Sequence, residues 1–270
     1  MRCYYINLAR RTDRRATMEQ RFATLGLDHE RVEALTPGDI TPQQRNRYCD
    51  PSIHIWQTES ELACSLSHLA AMRAFLATPS LYAAIFEDDA ILSPSLPAML
   101  AQFEEAQPAI DILRLETDTT RMRLLPRSET EIGSFGIFRL LSTGGAAAGY
   151  IMSRKGAERV LAGEEVLFDL TDQALFDPYA AISRDLIVRQ LVPALVIQED
   201  RLGPRADRVG SSDLERQRLD RDRLDRANFW RRARYNFPDF IARDIILPLR
   251  NFWLRLTRGA AKRDVPFKAD

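Results

Sequence analysis

The chain has 270 residues, and its 38 Lys plus Arg balance 38 Asp plus Glu, so the formal net charge is zero. Hydrophobic residues make up 45% and charged residues 28% of the chain, a composition that excludes disorder throughout and is typical of a folded domain. The longest apolar runs fall far short of the roughly 20 residues of a membrane span, and the opening residues lack a secretory-signal pattern, so a cytoplasmic location is expected.

Apolar strand-like runs alternate along the chain with amphipathic runs, which predicts an α/β fold with a mostly parallel central sheet. Gly26 ends the first expected helix, and Thr58 with Glu61 forms a capping box that opens the next long one. The expected strands are residues 4–8, 31–35, 82–86, 110–115, 135–141 and 194–198, and the expected helices are residues 12–25, 58–76, 95–106 and 154–162.

The neutral net charge conceals two unlike parts. Residues 1–226 hold 28 basic and 34 acidic residues (28 − 34 = −6), whereas residues 227–263 hold 9 basic and 2 acidic ones (9 − 2 = +7) among many aromatics. We expect a main domain over residues 1–210 and a charged connector with a basic, aromatic-rich helical tail over residues 211–270. Such a tail suits an anionic membrane surface. Packing on the acidic body is the main alternative, and no nucleic-acid partner is expected because the body carries no recognisable nucleic-acid module.

Three consecutive carboxylates, Glu87, Asp88 and Asp89, directly follow an apolar strand. Open α/β sheets bind ligands outside the carboxyl ends of their strands. Adjacent like charges repel one another, and a divalent cation shared with a diphosphate removes that cost, because Mg²⁺ and Mn²⁺ take carboxylate and phosphate oxygens together. A polar strand end is the alternative, and phosphatases and nucleotidyltransferases also fit such a triplet.

One face of the long expected helix carries Glu61, Cys64 and His68, spaced by three and four residues, with Ser67 beside them. These residues are either part of a binding site or simply a helix cap and core packing. The three cysteines of the chain include no close pair, which supports neither a disulfide framework nor a zinc site.

Two further segments are candidate ligand contacts. The turn after the first strand carries Asn7, Arg10 and Arg14, and its arginines either clamp a phosphate or begin a solvated helix. Residues 143–150 are almost all small, which suggests close approach of the backbone to a ligand.

Taken in order, four blocks of the chain resemble glycosyltransferase family 25, which contains galactosyltransferases of lipooligosaccharide synthesis. The resemblance extends over about residues 3–200, and the blocks are residues 5–8 with Arg10 and residues 13–15, residues 61–68, residues 85–89, and residues 149–153 with Gly156 and Ala157.

The resemblance implies a GT-A-like nucleotide-sugar-binding fold, a UDP-sugar donor that is often UDP-galactose, dependence on Mn²⁺ (or Mg²⁺), and inversion at the anomeric carbon. It places the metal on Asp89 with Glu87 or Asp88, in agreement with the charge argument. The donor-binding residues that it implies are Asn7, Arg10, Arg14, Glu61, Ser67, His68, Gly149 and Tyr150.

Inverting transfer needs a catalytic base near the acceptor hydroxyl and away from the metal. The best match to the family's base is Asp172, and Asp169 is the alternative register, because Leu170 and Thr171 replace the family's Pro-aliphatic pair. A second departure lies at residues 72–73, where the family commonly carries a tryptophan. Gln198 also resembles part of the family's closing segment.

The function expected from this resemblance is transfer of a hexose, galactose in the first place, to a lipopolysaccharide-type glycan or glycolipid acceptor. The basic tail would hold the enzyme peripherally at the inner face of the cytoplasmic membrane. A catalytically silent nucleotide-sugar-binding protein of the same fold is the main alternative. A metal-dependent nucleotidyltransferase or phosphatase is a third interpretation, which rests on the acidic triplet.

Overall fold

A computed structural model describes residues 1–50, 56–142, 144–202 and 246–270, and every structural statement below concerns these residues. None of the helices in these ranges combines the length and the apolar character needed to cross a membrane.

Thirteen strands and ten α-helices are described in this part of the chain, together with a short 3-10 helix at Pro37–Asp39. The strands are β1 (Arg2–Asn7), β2 (His29–Glu33), β3 (Tyr82–Glu87), β4 (Ala90–Leu92), β5 (Ile112–Arg114), β6 (Glu116–Thr117), β7 (Met122–Leu124), β8 (Thr130–Ile132), β9 (Phe135–Arg139), β10 (Gly149–Ser153), β11 (Val188–Val192), β12 (Val196–Gln198) and β13 (Ala261–Arg263). The helices are α1 (Thr12–Leu25), α2 (Pro42–Tyr48), α3 (Glu59–Leu76), α4 (Leu96–Ala106), α5 (Arg154–Ala162), α6 (Glu165–Phe168), α7 (Thr171–Phe176), α8 (Ile182–Asp185), α9 (Glu199–Leu202) and α10 (Leu247–Arg258).

The central sheet has eight strands in the order β2-β1-β3-β10-β5-β11-β9-β8. β1 pairs in parallel with β2 and β3, and β5 pairs in parallel with β11. β10 joins these groups by pairing antiparallel to both β3 and β5, and β9 runs antiparallel to β11 and β8. All strands of this sheet except β9 and β10 therefore run in one direction, and the predicted α/β class with a mostly parallel central sheet is confirmed.

Local sequence signals account for the helices that position the site. Gly26 ends α1 in the left-handed conformation at φ 65°, as its lack of a side chain permits. The Thr58 hydroxyl accepts the N–H of Glu61, and the Glu61 carboxylate accepts the N–H of Thr58, so the predicted capping box opens α3. Helices α1 and α5 have the predicted bounds.

Two central strands were not expected from the sequence. β10 begins inside the small-residue run 143–150 and lies between β3 and β5, and β11 lies between β5 and β9. A Cβ at Gly149 would stand 2.7 Å from the Val196 side chain, so the small residue here serves strand packing against β12. The backbone at Gly149 is thus closely approached by another group, as expected. That group is the Val196 side chain of β12, whereas the sequence suggested a ligand.

Alternating residues of the sheet supply the apolar cores on its two faces. Tyr4 and Ile6 of β1 point to one face, which α3, α5 and α7 cover, and Cys3 and Tyr5 point to the other, which α1 and α4 cover. This burial on both faces leaves the ends of the strands as the places where polar side chains gather.

The C-terminal residues of the tail pack on the body of the protein. β13 pairs antiparallel with β7, and Lys268 N–H donates to the Ala194 carbonyl at 2.9 Å. Leu254 of α10 is buried with Leu141 and Ala260. The alternative of packing on the body therefore holds for this final segment. The expected boundary between residues 210 and 211, and most of the expected connector, lie outside the described residues.

Candidate active site

Several acidic side chains meet at one edge of the central sheet. This edge contains the carboxyl ends of β1 and β3 and the beginning of the antiparallel strand β10. The N–H of Glu87 donates to the Ala148 carbonyl at 3.0 Å, which joins the acidic end of β3 to the residues preceding β10. A single edge thus collects groups from distant parts of the sequence.

Asp88 is buried, and two side chains from the first strand and helix satisfy it. Asn7 donates from Nδ2 to Asp88 Oδ2 at 2.7 Å, and Arg14 donates from Nη1 to Asp88 Oδ1 at 2.9 Å. The predicted turn residues Asn7 and Arg14 are therefore brought to the acidic triplet. Arg10 lies exposed in the turn between β1 and α1.

Asp89 is the least satisfied member of the triplet. Its Oδ2 lies 3.4 Å from Arg14 Nη1, whereas its buried Oδ1 has no hydrogen-bond partner within the described residues. Burial and, next to it, the negative charge of Glu87 raise the pKa of Asp89 to about 7, although the positive charge of Arg14 opposes the shift. Asp89 is therefore suited to a cation that supplies more positive charge than Arg14 alone.

Glu87 points toward α3. Its Oε1 lies 3.2 Å from His68 Nε2, and Gln198 donates from Nε2 to Glu87 Oε2 at 3.4 Å. On the other side of the imidazole, His68 Nδ1 lies 3.0 Å from the Tyr150 hydroxyl. The predicted residues His68 and Tyr150 are thus linked in one chain of contacts to Glu87.

A fourth carboxylate, which sequence analysis missed, lies behind the triplet. Glu116 is fully buried at the beginning of β6, and its Oε2 accepts the N–H of Ala148 at 2.6 Å, while its Oε1 has no partner within the described residues. Burial raises the pKa of Glu116 well above its usual range, Arg114 lowers it, and the charges of Glu87 and Asp89 raise it. The sequence offered only a weak signal, a single carboxylate directly after the expected strand 110–115.

A loop at residues 144–148 connects this cluster to the predicted base. Asp172 Oδ2 accepts the N–H of Ala146 at 2.7 Å, and Asp118 Oδ2 accepts the N–H of Gly145 at 3.2 Å. Asp169, the alternative base, accepts the N–H of Leu170 through its own Oδ1 at 2.8 Å. The structure therefore places Asp172 against the loop that also holds Glu116 and the end of β3.

Two predicted donor-binding residues make structural contacts. Glu61 is buried in the capping box of α3. Ser67 donates from Oγ to the Ala63 carbonyl at 2.7 Å and accepts the N–H of Leu35 at 2.9 Å, so it ties α3 to the segment after β2. These contacts correspond to the capping and packing alternative for this helix face.

The donor set at this edge fits a hard divalent cation. Asp88, Asp89 and Glu116 offer carboxylate oxygens, and Asp89 Oδ1 and Glu116 Oε1 are buried without a partner among the residues that the structure describes. Arg14 already holds positive charge beside Asp88 and Asp89. Mg²⁺ and Mn²⁺ prefer such oxygen ligands. A cation bound at Asp89 would give its unpartnered Oδ1 a ligand contact and reduce the repulsion among the neighbouring carboxylates.

Comparison with known proteins identifies relatives of this chain. A family model described as glycosyltransferase family 25 (LPS biosynthesis protein) matches residues 1–168. The chain is 25% identical over 233 residues to the lipooligosaccharide biosynthesis protein lic2B of Haemophilus influenzae, with 80% of this chain and 83% of that protein covered. It is 29% identical over 161 residues to the lacto-N-neotetraose biosynthesis glycosyltransferase LgtB of Neisseria gonorrhoeae, with 57% of this chain and 58% of that protein covered.

Among solved structures, the chain is similar to a glycosyltransferase involved in the glycosylation of the major capsid of PBCV-1. The TM-score is 0.41 with 11% sequence identity, and the match covers 77% of this chain and 96% of that chain.

Proposed function

The chain belongs to glycosyltransferase family 25, and from this premise we propose that it transfers galactose from UDP-galactose, with inversion and with Mn²⁺ or Mg²⁺, to a lipopolysaccharide-type acceptor. The family assignment predicted from the sequence blocks is confirmed, and the chain is an enzyme of the glycosyltransferase class. The family description and the printed names of lic2B and LgtB support lipopolysaccharide or lipooligosaccharide synthesis as its setting.

The observation that carries the proposal is the set of buried, partly unsatisfied carboxylates at the carboxyl edge of the parallel strands. A transferase that uses a nucleotide-diphosphate sugar must hold a diphosphate, and a diphosphate adds negative charge to a site that is already acidic. A bound divalent cation would neutralise both and stabilise the departing UDP. Asp88 and Asp89 are the residues that would hold it, and the charge of the buried Glu116 adds to the negative potential behind them.

Arg14 and Asn7 complete the donor side of the proposed site. Asn7 accepts from Arg31 through Oδ1 at 3.0 Å while it donates to Asp88, so its amide is fixed in one orientation. Arg14 is part-exposed and can turn its remaining N–H groups to a phosphate oxygen. We assign Asn7 to orienting Asp88 and Arg14 to binding the diphosphate.

Asp172 is the proposed catalytic base. Its two carboxylate oxygens accept the N–H groups of Ala146 and Gln173, at 2.7 and 2.8 Å, which fix its orientation. Ala146 and Ala148 are two residues apart, so their Cα atoms lie at most about 7 Å from each other. The loop can therefore hold the base close to the donor site while keeping it off the acidic triplet, and the base accepts the proton of the attacking acceptor hydroxyl.

The exposed side of α10 supports a membrane-linked acceptor. Leu249, Phe252, Trp253 and Leu256, which we name the outer face of α10, are between 56% and 70% exposed. Exposed arginines interleave with them at positions 250, 255 and 258. Apolar side chains among basic ones are suited to the boundary of an anionic bilayer. We propose that this face rests on the inner leaflet of the cytoplasmic membrane, where a lipid-anchored acceptor would be available.

The first experiment measures UDP release by the purified protein with a panel of UDP-sugars, with and without Mn²⁺, and with and without a lipid-extract acceptor. Metal-dependent release that is selective for UDP-galactose and stimulated by the extract is expected. Selectivity for another UDP-sugar would show that UDP-galactose is not the donor. Release of pyrophosphate or phosphate would instead indicate nucleotidyl transfer or phosphatase activity, and UDP binding without any release would indicate a catalytically silent protein.

The ligand assignment has its own test in Asp89→Asn. This variant is expected to lose Mn²⁺-dependent UDP binding, because the neutral amide supplies no charge to the cation. Asp28→Asn, an exposed carboxylate before β2 at the other end of the sheet, is the matched control and should bind UDP as the unaltered protein does. Unchanged Mn²⁺-dependent UDP affinity in Asp89→Asn, measured by calorimetry, would contradict the assignment.

A further inference from the structure

A second group of potential metal ligands lies beside the acidic triplet and has a different chemical character. Cys64, His68 and Glu87 each offer one ligand atom, and these atoms all lie within 4.8 Å of one another. His68 is fully buried, whereas Cys64 and Glu87 are half-buried. We propose that Cys64, His68 and Glu87 form a binding site for Zn²⁺, separate in chemistry from the all-oxygen site at Asp88 and Asp89.

The secondary structure holds the three groups in register. Cys64 and His68 are four residues apart on α3, so both side chains project from one face of a helix with ordinary geometry. Glu87 is the last residue of β3 and brings its Oε1 to 3.2 Å from His68 Nε2. Two ligands of one tetrahedral zinc ion lie roughly 3.3–3.6 Å apart. The ligand atoms here lie up to 4.8 Å apart, so closing on the ion requires side-chain movements of about 1 Å.

The ligand types select the metal. A thiolate, an imidazole nitrogen and a carboxylate oxygen together suit borderline-soft Zn²⁺, whereas Mn²⁺ and Mg²⁺ favour sites made of oxygens alone. Glu87 and Cys64 are partly accessible, so a water molecule can take a fourth position. The arrangement of three protein ligands with one open position is typical of exchangeable rather than closed structural zinc sites.

Tyr150 supplies the outer contact that an imidazole ligand needs. Its hydroxyl lies 3.0 Å from His68 Nδ1, and the two rings stack with centroids 5.8 Å apart. Burial raises the pKa of Tyr150 well above its usual range, so the hydroxyl stays neutral. With Zn²⁺ on Nε2, the imidazole proton lies on Nδ1 and is donated to the Tyr150 oxygen, while the Cys64 thiol releases its proton to solvent.

The cysteine spacing alone did not indicate this site, because its third ligand is distant in sequence. In the proposed zinc site Glu87 contacts His68, whereas Asp88 and Asp89 form ion pairs with Arg14. Zinc binding is therefore expected to depend on Cys64 and His68 and to be insensitive to Asp88→Asn.

Cobalt titration of the reduced full chain tests the proposal, because Co²⁺ gives a thiolate-to-metal absorption band only when a cysteine sulfur is bound. One equivalent is expected to produce the band, and Zn²⁺ is expected to displace it. Cys64→Ser should abolish the band and His68→Gln should weaken binding at least about 100-fold. Tyr150→Phe, which removes an outer contact, should weaken it by roughly 10- to 100-fold.

Cys49→Ser is the matched control, since Cys49 is likewise a half-buried cysteine outside any disulfide, and this variant should leave the band unchanged. A second measurement needs no variant: Zn²⁺ should slow the alkylation of Cys64 by iodoacetamide, mapped by mass spectrometry, without slowing that of Cys49. Cobalt binding without a thiolate band, an equal band in Cys64→Ser, or alkylation of Cys64 at the same rate with Zn²⁺ would each overturn the proposal.

Discussion

Two regions of the molecule concentrate charge in opposite ways. The carboxylate edge, formed by Glu87, Asp88, Asp89 and Glu116, gathers negative groups away from water, and burial raises the pKa of Asp89 and Glu116. The outer face of α10 instead exposes large apolar side chains to solvent beside arginines. One region withdraws charge from water, and the other leaves apolar surface in it.

Both arrangements cost free energy in the isolated protein, since neither buried like charges nor exposed apolar surface favours folding. Each cost would be removed by a partner of matching chemistry. Cations and a diphosphate suit the first region, and an anionic lipid surface suits the second. The comparison therefore predicts that substitutions in the two regions separate catalysis from membrane attachment, and that only those at the carboxylate edge alter stability.

The largest effect is expected from Asp172→Asn. Removing the proposed base should lower the rate of sugar transfer by roughly 10²- to 10⁴-fold, while UDP binding stays unchanged, because the amide keeps the shape of the side chain. Steady-state transfer rates and calorimetric UDP affinity measure the two effects. Asp169→Asn is the matched control. Loss of transfer in Asp169→Asn, with transfer retained in Asp172→Asn, would identify Asp169 as the base instead.

The second effect concerns the outer face of α10. Replacing Leu249 and Trp253 by Glu should weaken binding to anionic vesicles by roughly 100-fold, because it removes two apolar contacts and adds repulsion. Both side chains are exposed, so unfolding should be unaffected. Leu81→Glu, at another exposed leucine, is the control for vesicle sedimentation. Equal vesicle binding by the double variant would show that this face contacts something other than lipid.

Several features that build the carboxylate edge can be predicted from the sequence, because they depend on signals only a few residues long. The capping box at Thr58 and Glu61, the glycine that ends α1 and the carboxylates after an apolar strand each act within a few residues, and each is observed. The structure brings Asn7 and Arg14, which the sequence analysis named as donor-binding candidates, to the acidic triplet.

The missed features depend on contacts between distant segments. β10 contains a glycine at position 149 because Val196 from another strand occupies the space of its Cβ, and a small-residue run does not reveal such a partner. Glu116 becomes notable only when burial and its neighbours Glu87 and Asp89 raise its pKa. The helix face with Cys64 and His68 was visible in the sequence, but Glu87, the third ligand of the proposed zinc site, comes from the sheet.

Asp89→Asn should show the strain at the carboxylate edge as a change in stability. The pKa of Asp89 is about 7 in the folded protein against an ordinary value of 3.8, so the stabilising proton is lost as pH rises toward 7. The neutral amide avoids this loss. In EDTA, the variant should therefore gain roughly 1–3 kcal/mol in the free energy of unfolding at pH 8, and less at pH 5.

Denaturant unfolding at both pH values measures this gain. Asp39→Asn serves as the control of opposite sign, because hydrogen bonds from Thr36 hold the pKa of Asp39 below its ordinary value of 3.8. Its stabilisation is complete at pH 5 and above, so the loss on substitution should be the same at pH 5 and pH 8. An equal gain in the free energy of unfolding of Asp89→Asn at pH 5 and pH 8 would show that the gain does not come from the raised pKa of Asp89.

The smallest effect is expected from one exposed charge beside the outer face of α10. Arg255→Gln should lower vesicle affinity about 5-fold at low salt, since one basic residue near an anionic surface contributes about 1 kcal/mol. The difference should vanish in 1 M salt, where charges more than about 3 Å apart are screened. Arg73→Gln, on an exposed part of α3, controls for net charge. The transfer defect of Asp172→Asn should persist at that salt concentration, because the proposed base, oriented by two backbone N–H groups, acts by proton transfer at contact distance. A salt-independent effect of Arg255→Gln would instead assign this arginine to a specific contact.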